Sequence, residues 1–509
     1  MADTQASYAE LVKLKREQAT LGSVSALVGW DQETYMPAGG ADFRAEQSAV
    51  LAKLVHERAT SPRVGELLDA CAQDRALGDA STPTGASLRE MRRDYDLATK
   101  LPGELVAELA QTGSLAQEAW KHAREGNDFQ AFRPWLEKMV ELARRKARCY
   151  GTPEGGEAYD ALLNEYEPGA RASEIAGVFE PLRERLSAFI AEVRDNGTPP
   201  DTKVLGTKIS EGAQHAFGIR VLDAIGFDLN AGRLDTTTHP FCSGMAPGDT
   251  RLTTRYREQH FSDALYSTMH EGGHGLYEQG LPKGGELFGT PLAESVSLGI
   301  HESQSRLWEN FVGRSSQFWA WAMPIAKDLF GGALDGVSVE HMTAAVNTAT
   351  PSLIRVESDE ATYNLHVMLR FTLERAMMRG ELEVADLPGE WNRLMQEMLG
   401  VEVPDDARGC LQDVHWSFGL MGYFPTYALG NLYAAQIWET IRERIPTLDA
   451  QIERGSFGEL LGFLREHIHA HGRRYSAGEL CERITGKPLE AEPLMRHLAS
   501  RVKPAYGMA

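Results

Sequence analysis

Apolar residues recur at three- and four-residue steps along most of this chain, and that period leaves the helix as the main way to bury them. In Ala41–Arg58 it gathers Phe43, Val50, Leu51 and Leu54, and Phe132–Arg148, Ala172–Val193, Glu211–Ala224 and Tyr427–Arg444 read alike. Strand-like patterning is confined to two short Thr-rich stretches, Arg233–Phe241 and Thr250–Tyr256. The expected fold is mainly α, a large helical body with a small β-sheet. With 509 residues, 42% of them apolar, a substantial core is available. Gly-, Pro- or Asp-rich loops at 79–86, 196–201, 281–289 and 401–408 are all short, and no solenoid repeat is present. Residues 1–155 therefore read as an N-terminal helical portion covering part of a larger body, 156–509, the two forming one continuous domain.

Charge narrows the partners. Against 52 Lys and Arg stand 72 Asp and Glu, a net −20 that disfavours nucleic acid and anionic membrane surfaces. The five cysteines are widely spread with no Cys-x-x-Cys pair, which argues for a reducing cytoplasm rather than a disulfide scaffold. The N-terminus has no apolar core of signal-peptide length, and no run long enough to span a membrane occurs.

His270-Glu271-Gly272-Gly273-His274 matches the pattern His-Glu-x-x-His. On a helix, imidazoles four residues apart lie one above the other and can share a Zn2+, while Glu271 addresses the water that such a metal activates. Ser262 and Asp263 offer an N-cap and a first-turn carboxylate, and Gly280 with Pro282 a stop, predicting a helix of about 18 residues. Two glycines inside it cost about 1–2 kcal/mol relative to alanine, so close packing or function must require them. A catalytic zinc needs a third protein ligand. In the helix-like segment Ala293–Gly313 the choices are Glu294, His301 and Glu302. Neighbours on a helix diverge by about 100°, so His301 and Glu302 do not both face one metal, and spacing leaves Glu294 and Glu302 level. This donor set also admits Co2+.

Around the motif lie HPF (His239–Phe241), DTRLT (Asp249–Thr253), HESQSR (His301–Arg306), IRVESD (Ile354–Asp359) and GCLQDVHW (Gly409–Trp416). With WDQETYMP at Trp30–Pro37, this ordered set resembles the carboxypeptidase Taq family of zinc metallocarboxypeptidases. One departure is Ser358, where the family usually has Ala; Arg355 and Asp359 stay in register. The resemblance implies a two-lobed helical fold with a deep active-site cleft, a small sheet near the metal, and a cytoplasmic homodimer that releases C-terminal residues from peptides. It also favours Glu302 as the third ligand and makes Glu294 a supporting residue.

Within that reading Glu271 is the general base, taking a proton from the attacking water and delivering one to the leaving amine. An oxyanion donor is expected among His415, Tyr423 and Tyr427, although both tyrosines equally suit aromatic packing. An enzyme that reads a free C-terminal carboxylate suits an arginine fork. Arg355 is the first choice, and Glu357, Asp359 and Glu360 offer it salt bridges instead. Asp249 and Arg251 are spaced to pair along one strand face, with substrate contact by Arg251 as the alternative. His239 either donates to substrate or orders a turn before Pro240. His467, His469 and His471 read as a solvated helix end, Cys242 and Cys410 as small buried hydrophobes, and Trp308 and Trp416 as core anchors. Competing readings are an endopeptidase or dipeptidyl carboxypeptidase on a similar fold, and a zinc-stabilised scaffold without turnover.

Overall fold

A long helix, Ala2–Thr34, opens the chain, and the Pro37-to-Gly40 turn folds the helix Ala41–Ala59 back along it. This computed structural model describes residues 2–509. Its elements are overwhelmingly helical, and the five helices expected from periodicity are present as Ala41–Ala59, Phe129–Tyr150, Ala172–Asn196, Glu211–Ile225 and Pro425–Arg444. Two units form, each assembled from separate stretches of chain. The first takes Met1–Thr99, Asp201–Val346 and Ile437–Pro488; the second takes Lys100–Pro200, Asn347–Gln436 and Leu489–Ala509. These groupings cut the chain elsewhere than residue 155.

The first unit contains the sheet. Strands β1 (Gly232–Thr236), β2 (Cys242–Ala246) and β3 (Asp249–Thr254) lie in the order β1-β3-β2. β1 runs parallel to β3 with Arg233 opposite Arg251, and β2 runs antiparallel with Cys242 opposite Leu252. The expected strand over 233–241 stops at Thr236, and the HPF segment is an irregular link. β2 was not expected, because CSGMA has neither alternation nor β-branched residues. Gly244 has a packing reason to be there: a Cβ would stand 2.0 Å from a carboxylate oxygen of Glu278.

The helix Phe261–Gly280 carries the His-Glu-x-x-His motif and is enclosed on most sides. Its N-cap is His260, two residues before the expected Ser262. Three of its glycines each admit a different neighbour. A Cβ on Gly272 would meet Leu222 at 2.8 Å, one on Gly273 the carbonyl oxygen of Gln304 at 2.5 Å, and one on Gly275 the side chains of Phe227 and Leu252. The glycine pair therefore has a structural cause: without side chains the helix lies directly against Glu211–Ile225 and Leu298–Arg306, while Gly275 seats it on β3. The segment expected to be helical from Ala293 begins its α-helix only at Leu298, where Ser297 Oγ accepts the Ile300 N–H at 3.0 Å. It then widens into a π-helix over Leu307–Val312.

The second unit centres on the helix Glu360–Arg379, capped by Asp359 and ended by Gly380 in the left-handed conformation. Phe371 of this helix packs edge-on against Tyr159 and Phe179. Glu374, one turn on, ties down the segment 416–422, accepting from Tyr159 OH at 2.6 Å, Trp416 Nε1 at 2.7 Å and Gly422 N at 3.0 Å. Trp308 and Trp416 are buried as expected, and all five cysteines are free.

Candidate active site

In the first unit, His270, His274 and Glu302 bring one ligand atom each to within 4.8 Å of one another. Glu302 Oε2 stands 3.6 Å from His270 Nε2 and 3.5 Å from His274 Nε2. Tetrahedral bonds of about 2.0–2.1 Å set ligand atoms about 3.3–3.4 Å apart, so both carboxylate-to-imidazole separations are close to what a zinc ion needs. His270 and Glu302 are hydrogen-bonded from behind. His270 Nδ1 donates to Glu309 Oε2 at 2.9 Å, which turns Nε2 inward. Arg306 takes Glu302 Oε1 at 2.7 Å and leaves Oε2 toward the imidazoles, while Arg306 and Arg314 also hold Glu309. His274 is fixed by stacking, its ring 4.4 Å from that of His301.

The electrostatics suit a cation. Burial works to raise Glu302, but Arg306 and His270 outweigh it and keep the carboxyl well below its ordinary range. Glu309 is likewise held down to about 2 against its burial, chiefly by Arg306 and His270. Burial, followed by neighbouring His301, lowers His274 to about 3, so this imidazole is neutral, as a ligand must be. At His270 the pull of Glu302 and Glu309 overcomes burial and raises the pKa, and a metal ion would feel the same attraction. Glu271 differs: burial pushes it up to about 7, and it takes part in none of the ion pairs that fix Glu302 and Glu309.

Other expected residues are placed as follows. Glu294 is outside the helix, half exposed and paired with Arg473 at 2.9 Å. His301 donates to Glu278 Oε1 at 2.9 Å. Arg251 grips Asp249 through two bonds of 2.8 and 2.9 Å and lies 4.3 Å over the Trp30 ring, so DTRLT and WDQETYMP meet as one piece of architecture. His239 is exposed in the irregular link. His469 overturns the solvated-helix-end reading: it is fully buried, donates to Gln304 at 3.1 Å and packs where a Cβ on Gly280 would fall. The chain leaves helical geometry at Ile468, so the alternating spacing is not read around one axis.

In the second unit, Arg355 is buried and pairs with none of the three carboxylates near it in sequence. Its Nε and Nη2 donate to Asp413 Oδ1 at 3.2 and 2.9 Å, and its Nη1 to Tyr363 OH at 3.0 Å. Asp359 instead caps its helix, and Glu360 meets His497. Ser358, the departure from the family pattern, closes a turn onto Ile354 O at 3.1 Å. His415 lies 3.8 Å from Asp413, packed at a tilt against Phe424 and Tyr423, and burial lowers it to about 4. Tyr427 lies beside Tyr423 and under the Arg355 guanidinium, 5.2 Å from ring centre to Cζ.

Sequence reasoning missed Glu309, Asp413, Arg370 and His469 as members of these clusters. Glu309 had a signal, since seven residues after Glu302 is about two helical turns. The others are joined to their partners only by tertiary structure.

Comparison with known proteins identifies the family. The model of the family described as Carboxypeptidase Taq (M32) metallopeptidase matches residues 10–502. Thermostable carboxypeptidase 1 of Thermus thermophilus is 44% identical over 99% of both chains. Carboxypeptidase 1 of Bacillus subtilis is 36% identical over 94% of this chain and 95% of its own. The crystal structure of an M32 carboxypeptidase from Deinococcus radiodurans superposes with a TM-score of 0.94 at 42% identity, covering 99% of this chain and all of the other. The chain is a metallocarboxypeptidase and belongs to the carboxypeptidase Taq (M32) metallopeptidase family.

Proposed function

We propose that the protein removes C-terminal amino acids from peptides using a Zn2+ held by His270, His274 and Glu302, with Glu271 as general base. The convergence of the three donors, with Glu302 Oε2 3.6 and 3.5 Å from the two imidazole nitrogens, carries this reading. When bound, Zn2+ supplies a Lewis acid that polarises the scissile carbonyl and makes water more acidic, and Co2+ suits the same donors. Glu271, raised to about 7, is poised to accept a proton from the attacking water and return it to the leaving amine. Arg355 recognises the free carboxylate. His415, Tyr423 and Tyr427 serve as donors around the substrate, with His239 and Arg251 as lesser contacts.

We assign the protein to the cytoplasm as a homodimer. Among the described residues no helix is long and apolar enough to cross a membrane. The helix Ala41–Ala59 buries none of its residues and leaves Phe43 and Val50 65% and 58% exposed, a face suited to a second copy. The function is tested with one peptide and its C-terminally amidated twin, followed by mass spectrometry with wild type and Glu271→Gln. The expected result is stepwise loss of single residues from the free peptide alone, abolished in the variant with its metal content unchanged. Equal cleavage of both peptides, or internal cuts, would make it an endopeptidase.

A further inference from the structure

Asp413 is shared between two arginines. Arg355 takes Oδ1, while Arg370 donates from Nε to Oδ2 at 2.6 Å and also reaches that oxygen through Nη2. Arg370 is wholly buried. It also donates from Nη2 to Gln412 Oε1 at 2.8 Å and from Nη1 to His366 O at 2.7 Å, and its guanidinium lies 4.7 Å from the Trp391 ring centre. Gln412 Oε1 in turn accepts the backbone N–H of Arg355 at 2.9 Å, so Arg370 supports Arg355 by two routes.

Charge gives this arrangement its meaning. Where Arg355, Arg370 and Asp413 meet, two guanidiniums and one carboxylate sum to +1; burial keeps the neighbouring His366 and His415 neutral, at about 3 and 4, and pushes Glu374, one turn along the Arg370 helix, up to about 7. Arg355 alone with Asp413 would be a neutral pair. A guanidinium has five N–H donors, and Arg355 uses one each at Nε, Nη1 and Nη2, leaving one on each terminal nitrogen. Those two nitrogens are the pair a carboxylate engages end-on.

We propose that Arg370 is a positioning residue for recognition of the substrate's terminal carboxylate: by occupying Asp413 Oδ2, it keeps Asp413 from neutralising Arg355 and holds the surplus positive charge there. It does not touch the substrate. The inference rests on Arg355 as the carboxylate reader, and its test separates the two.

The experiment measures calorimetric binding of N-acetylphenylalanine and of its amide to the intact enzyme, with kcat and KM for a free-carboxylate peptide. Arg370→Met should weaken binding of the acid about 10–100-fold, leave the amide unchanged and act on KM more than on kcat. Arg370→Lys, which keeps the charge, should recover most of the loss. Arg370→Met with Asp413→Asn, which restores +1, should bind the acid more tightly than Arg370→Met alone. Equal loss for acid and amide, or no rescue by the double variant, would reduce Arg370 to a packing residue. Should Arg370→Met not fold, Asp413→Asn decides: removing a negative charge must tighten acid binding, and weakening overturns the proposal. If Arg355→Met leaves acid binding intact, the reading of Arg355 itself fails. If Arg355→Met weakens it and Arg370→Met does not, only the role of Arg370 fails.

Discussion

Two buried charge clusters, one in each unit, are built on opposite principles. Around His270, His274 and Glu302, the proposed metal ligands, Glu302 and Glu309 are matched by Arg306 and Arg314. Those carboxylates are balanced by the two arginines, so a surplus of positive charge there would have to come with a metal. Around Arg355, one carboxylate is divided between two arginines, and the surplus is carried by the protein's own side chains. In the function proposed above, the first receives a cation and the second an anion. Isolated buried charges are costly, and in both places dense hydrogen bonding is what makes the charge tolerable. The global −20 therefore says little about either cluster.

The largest effect that separates them is expected from Glu302→Ala. It removes a proposed ligand and one of the two carboxylates that Arg306 bridges, so metal per chain after dialysis should fall to near zero and hydrolysis with it. Binding of a free-carboxylate ligand through Arg355 should persist. Retention of full metal stoichiometry would show that another carboxylate completes the site.

Glu309→Gln is subtler. A glutamine can still accept the His270 Nδ1–H, but it gives up the ion pairs with Arg306 and Arg314 and the negative charge behind the imidazole. Supporting groups of this kind are worth about 10–100-fold in metal affinity. Competition against a zinc chelator should report a loss in that range with the specificity for free carboxylates unaltered. An unchanged affinity would mean that stacking and helix packing alone orient His270.

Much of the first cluster was legible in the sequence because it is local. Two histidines at i and i+4 need only a helix, and the glycine pair signals the close neighbour that brings Glu302 into range. The anion cluster was legible only as Arg355. Its partner Asp413 lies 58 residues away, and the nearer carboxylates were the natural guess until Asp359 proved to be a helix cap. Burial likewise hid His469, whose neighbours Gln304 and Gly280 are distant in sequence. β2 was invisible for another reason: its residues have no strand propensity and are held by pairing with β3.

The smallest effects concern the two caps, and they sharpen the comparison most cleanly. Ser297 starts the helix that carries Glu302, and Asp359 starts the one that carries Arg370. Each side chain satisfies a backbone N–H that the first helical turn leaves without an internal partner, at 3.0 Å to Ile300 and 2.9 Å to Thr362. Replacing either with alanine should cost about 1 kcal/mol of stability. Asp359 carries more, since it also accepts from Thr350 N at 2.6 Å and places a negative charge at the positive end of its helix. In thermal unfolding, Asp359→Ala should therefore lower the midpoint further than Ser297→Ala. The functional readouts should divide the other way round from any shared loss of stability. Ser297→Ala should loosen metal binding slightly and spare the preference for free over amidated ligand, while Asp359→Ala should erode that preference and spare the metal. If both caps moved both readouts equally, the clusters would be coupled through the fold, and the separation of cation from anion recognition between the two units would not hold.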